Sequence, residues 1–164
     1  MCKMSFERIE KNKIKKGKGT GFFCEINKID NFPFKYGLFT NYHVLNEYNL
    51  KEGNIINIEF YDKLSYKNKK IELDDKRKVY TNQKMDYTCV EIYKSDNINK
   101  YFKIDPILFT DDKNSINDSD IFILQYPKCN ELSFSFSYGK ILSLKDNQII
   151  HSTSTDEGHL DHQL

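Results

Sequence analysis

Apolar and polar residues alternate along much of the chain at the period of a β-strand. In "NIINIEFYD" (54–62) Ile56, Ile58 and Phe60 fall on one face, which is the period of two that a half-buried strand requires. The same pattern, with Gly punctuation and β-branched or aromatic residues, predicts strands over "GTGFFCEINKI" (19–29), "FKYGLFTNY" (34–42), "KKIELDD" (69–75) and "DYTCVEIY" (86–93). "DIFILQYP" (120–127) is an almost unbroken apolar run closed by a proline, the pattern of a strand covered on both faces. In "LSFSFSYGKILSL" (132–144) serine alternates with aromatics and a glycine precedes a second apolar stretch, and "NQIIHSTST" (147–155) reads as a further strand. Helical periodicity is confined to a turn or two after His43 and to "DNINKYFK" (96–103).

Many short strands separated by turn residues imply an all-β fold, a sandwich or a barrel. "DPILFTDDKNSINDSD" (105–120) is rich in Asp, Asn and Ser. It reads as a linker over 105–118 between a first β unit (19–104) and a second (119–164). The second holds about three strands, too few to close a barrel, so its edge is expected to stay open.

Charge adds one feature. Lys and Arg number 25 against 24 Asp and Glu, and a near-neutral chain argues against nucleic acid as a partner, because phosphate binding needs a basic excess. Five lysines nevertheless crowd "KNKIKKGKG" (11–19). They mark residues 1–18 as a solvated basic arm. No stretch of about 18 apolar residues is present, so no membrane span is expected. The N-terminus lacks the apolar core of a secretory signal. Cys2, Cys24, Cys89 and Cys129 are widely spaced and form no CxxC pair. Free thiols in a cytoplasmic protein are therefore expected, with no metal site and no cofactor.

His43 is the one histidine in the first 150 residues, and it stands where a predicted strand turns. Asp86 opens another strand, 43 residues later. A carboxylate that fixes the tautomer of an imidazole leaves the other ring nitrogen to take a proton from a nucleophile. The pair is therefore a candidate general base with its orienting group.

The local words around the pair sharpen this reading. "GTGFF", "LFTNYHVLN" and "MDYTCVEI" follow one another in that order, and after the linker come "IFILQYPK", "FSYGKILSL" and "HSTSTDEG". Together, over about residues 17–158, they resemble the trypsin-like serine peptidase family, in its small intracellular branch. The resemblance implies a chymotrypsin-like double β-barrel that hydrolyses peptide bonds, with His43 as general base and Asp86 as its orienter. Gly158 would belong to the loop whose amides form the oxyanion hole. Thr40 would support the site, and Asn41 and Tyr42 would serve packing and the turn.

The pattern then breaks. After Gly158 the chain reads "HLDHQL". Leu160 stands where the family carries its nucleophilic serine, His159 stands one position earlier, and Asp161 replaces the glycine that follows. The strands that would complete the second barrel and the specificity pocket are also missing, which reads as a truncated end. Ser152, Thr153, Ser154 and Thr155 have the composition of an ordinary strand and turn, and Cys89 that of a small core residue. The tail residues His159, Asp161 and His162 have ligand chemistry but no framework. The expectation is a peptidase homologue that is catalytically incomplete, with a peptide or protein as its partner. The alternative is a β-module that binds a peptide without cutting it. Self-association through open sheet edges is expected in either case.

Overall fold

The computed structural model describes residues 1–10, 13–26, 32–62, 65–105, 107, 116–126, 135–145 and 148–154. The chain is all-β, as its alternation predicts, and divides into two units, 1–104 and 105–164. Among the described residues no helix is long and apolar enough to cross a membrane.

The first unit contains β1 (Cys2–Glu10), β2 (Lys13–Glu25), β3 (Tyr36–Thr40), β4 (Ile55–Asp62), β5 (Ser65–Glu72), β6 (Val79–Asn82), β7 (Tyr87–Glu91) and β8 (Phe102–Lys103). They form one sheet in the order β5-β4-β1-β2-β3-β7-β6, with β8 beside β2. Every pairing is antiparallel except β2 with β8. No ladder joins β5 to β6 among the described residues, so the barrel expected here is not closed by hydrogen bonds. Side chains bring its two ends together instead. Ile71 of β5 and Val90 of β7 are fully buried in one cluster, and Val79 of β6 packs against it.

The expected N-terminal arm is a correction. Residues 2–10 form β1, which lies between β4 and β2 in the middle of the sheet, and Cys2, Met4 and Phe6 point into the core. β2 begins at Lys13, inside the lysine cluster. Its inward positions include Gly17, Gly19 and Gly21, which stand opposite Phe6, Met4 and Cys2. A glycine facing a large side chain lets the interior of a small barrel fill without a clash. A Cβ on Gly21 would lie 2.9 Å from the Phe39 carbonyl oxygen and as close to the Met4 sulfur. The helical turn expected over 96–103 is also corrected: a 3-10 turn ends at Asp96 and β8 follows.

Arg77 and Asp96 are almost fully buried side chains in this unit. The guanidinium donates to both Asp96 carboxylate oxygens, at 2.8 and 3.1 Å, and to the Glu91 carbonyl at 2.8 Å. It lies over the Tyr93 ring, 4.0 Å from its centroid.

The second unit contains β9 (Asp120–Gln125), β10 (Ser135–Lys145) and β11 (Gln148–His151), in the order β11-β10-β9. Its cross-strand pairs place Phe122 against Tyr138 and Leu124 against Phe136. All four side chains are exposed.

Candidate functional site

Antiparallel pairing sets the site. β3 and β7 are neighbours with Thr40 opposite Thr88, so the C-terminal end of β3 lies beside the N-terminal end of β7. His43 follows the first by three residues, and Asp86 immediately precedes the second. The turn after β3 is made by the Val44 and Leu45 amides, which donate to the Asn41 carbonyl at 3.1 and 3.0 Å. It is seated on β7 by the buried Thr88 hydroxyl, which donates to the Leu45 carbonyl at 2.6 Å. It is seated on β2 by Val44, whose methyl occupies the space a side chain at Gly19 would need. This is a physical reason for glycine in the "GTGFF" stretch.

Asp86 has φ 49°, in the left-handed region that Asp and Asn tolerate better than most residues. Its amide closes a turn on the Gln83 carbonyl at 3.2 Å. The carboxylate then faces the β3 turn. Oδ1 accepts the His43 main-chain N–H at 2.9 Å, and Oδ2 lies 2.7 Å from His43 Nδ1. An ionised carboxylate can only accept, so Nδ1 carries the proton. Nε2 is then the nitrogen with a lone pair, and it has no protein partner among the described residues. The ring is 55% exposed, so Nε2 is open to a substrate or a nucleophile.

Burial alone would raise the Asp86 carboxyl, but the His43 main-chain N–H, the His43 ring and the Asn41 amide outweigh it and hold it below its ordinary value. The sign of the pH effect follows. A depressed carboxyl contributes stability that is fully present above the unfolded value of about 4 and is lost as pH falls through the folded value. Urea midpoints measured from neutral pH down into the acid range should therefore fall more steeply for the natural chain than for Asp86→Asn. Parallel curves would show that Asp86 contributes nothing to the acid limb.

The other singled-out residues are placed as follows. The Thr40 hydroxyl donates to the Thr20 carbonyl at 2.8 Å, which ties the end of β3 to β2. Tyr42 hydrogen-bonds Glu47. Asn41, expected only to pack and turn, sends its amide to Asp86. Cys89 is buried beneath the sheet, and burial pushes its thiol well above the ordinary value, the wrong direction for a nucleophile. Ser152 is engaged with the backbone of β10: its Oγ accepts the Lys140 N–H at 2.9 Å. Thr153 lies against the His151 ring nitrogen. Cys2, Cys24 and Cys89 are free thiols. Among the described residues no cluster of His, Cys, Asp and Glu could hold a metal ion. Thr155, Gly158, His159, Leu160, Asp161, His162 and Cys129 lie outside the described residues.

No curated protein matches the sequence. The family model for a trypsin-like peptidase domain matches residues 19–163.

Proposed function

The chain belongs to the trypsin-like peptidase domain family, and on that basis we propose that its first unit carries the proton-transfer half of a serine-peptidase centre. The observation that supports this is the 2.7 Å contact between His43 Nδ1 and Asp86 Oδ2 beside an exposed, unengaged Nε2. His43 would take a proton from a nucleophile at Nε2 and return it to the leaving group. Asp86 would keep the tautomer and stabilise the imidazolium that forms in between.

The missing part is the nucleophile. On the resemblance of "HSTSTDEG" to the approach to the family's nucleophile, Leu160 would stand at the serine position, and an alkyl side chain has no lone pair with which to attack a carbonyl. The proposed function of this polypeptide is therefore that of a peptidase homologue that engages a peptide or protein without forming an acyl-enzyme. An all-β chain in two units, the second with three strands among the described residues, is consistent with a chymotrypsin-like fold.

A fluorophosphonate probe together with a quenched-fluorescent peptide library tests this directly. The natural chain is expected to show neither covalent labelling nor turnover above a His43→Ala control. Labelling or turnover that His43→Ala abolishes would overturn the inactive reading and place a working hydroxyl in the chain.

A further inference from the structure

Asp86 is held by one short segment. The main-chain N–H of His43 reaches Oδ1, the ring of His43 reaches Oδ2, and the side-chain amide of Asn41 reaches Oδ2 at 3.2 Å. The same Asn41 amide also donates to the Asp86 main-chain carbonyl at 3.1 Å. One NH2 group thus bridges the side chain and the backbone of a single residue. At this bridge the Asp86 backbone is left-handed, with φ 49°. Asn41 is itself fixed, because its carbonyl accepts two amides of the following turn.

We propose that Asn41 is a positioning residue: its amide locks the Asp86 carboxylate in the rotamer that holds the proton on His43 Nδ1. The inference rests on the reading of His43 and Asp86 as a base and its orienter, and it adds how the orienter is itself oriented. A carboxylate offers about four acceptor positions. Without a third donor its outer oxygen can swing to solvent while the His43 main-chain bond persists, because the carboxylate torsion is broad. A bond to the main-chain carbonyl as well removes that freedom. The donors that fix Asp86 all come from residues 41–43, so the orienter needs nothing from the second unit. A neutral imidazole released from a carboxylate has no reason to keep its proton on Nδ1, so the tautomer reports on the lock.

Ring-nitrogen NMR of His43 and the carboxyl titration of Asp86, measured on the full chain, test this. The natural protein should show His43 predominantly as the Nδ1–H tautomer when neutral. In Asn41→Ala the Nδ1–H majority should be lost and the Asp86 titration should move upward. Asn41→Leu, which has a similar size but neither a donor nor a charge, should do the same while keeping the main chain around residue 41, and it is the deciding variant if the alanine form does not fold. An unchanged tautomer and an unchanged Asp86 titration in a folded variant would overturn the proposal. Neither readout needs hydrolysis. Turnover by a natural chain whose His43 is Nδ1-protonated would count against the inactive-homologue reading alone, and an unchanged tautomer in a folded Asn41 variant counts against Asn41 alone.

Discussion

Arg77→Met should destabilise the first unit by about 3–5 kcal/mol, the usual cost of removing one partner from a buried ion pair. The reason lies in what remains. Asp96 is 7% exposed and loses both guanidinium hydrogen bonds. The Glu91 carbonyl loses its donor, and the Tyr93 ring loses the cation above it. Asp96 keeps the Tyr93 main-chain N–H at 2.7 Å, one bond for a charge in a poorly solvated place. Total stabilities of domains are about 5–15 kcal/mol, so the loss should appear as a large drop in the urea midpoint. Arg77→Lys should recover only part of it, because an ammonium cannot present the two-pronged fork. Arg77→Met with Asp96→Leu should also recover part, since the orphaned charge goes but the cap on Tyr93 goes with it. A change below about 1 kcal/mol, the scale of an exposed pair, would show that the pair is not buried in solution. Where the variant remains folded, the His43–Asp86 contact should survive. Arg77 holds the Glu91 end of β7, and Asp86 stands at the other end, about 17 Å away at ~3.4 Å per residue.

Gly21→Val is the second large effect, expected at about 3 kcal/mol, the top of the usual range for overpacking. The Leu38 methyl and the Met4 sulfur, each 2.9 Å from the added Cβ, can rotate away. The Phe39 carbonyl, equally near, cannot move without breaking the β2–β3 ladder. Lys18→Val, on the solvent face of the same strand, should stay within about 0.5 kcal/mol. Equal thermal shifts for the two substitutions would mean that Gly21 does not face a filled core.

These two sites show what the sequence reveals and what it hides. β4 was legible because its inward apolar residues recur in its own chain at period two, Ile56, Ile58 and Phe60, and β10 because serine and aromatic residues alternate strictly, although the aromatics Phe136 and Tyr138 face outward. β2 was legible only past Gly19, because Gly17 and Gly19 put no side chain on its inward face and their apolar partners, Phe6 and Val44, come from other segments. The signal for β1 was present: Cys2, Met4 and Phe6 alternate with Lys3, Ser5 and Glu7. The neighbouring lysines outweighed it in the reading of an arm. β6 carries no buried residue and so left no pattern. His43 and Asp86 could be picked out because each sits at the edge of a recognisable strand word. Asn41 could not, because its partner lies 45 positions away in the chain. Arg77 and Asp96 are ordinary charged residues in sequence, and only folding shows that they leave water together.

The closure of the first unit by residue 103 has a consequence in time. β8 is the last strand of that unit and pairs with β2, so every residue that holds Asp86 is translated before the second unit. Chains tend to fold from the N-terminus as they are synthesised. The imidazole and its carboxylate would then meet on the nascent chain while the last residues of the second unit are still untranslated. A pair assembled in that order depends on the folding of the first unit alone.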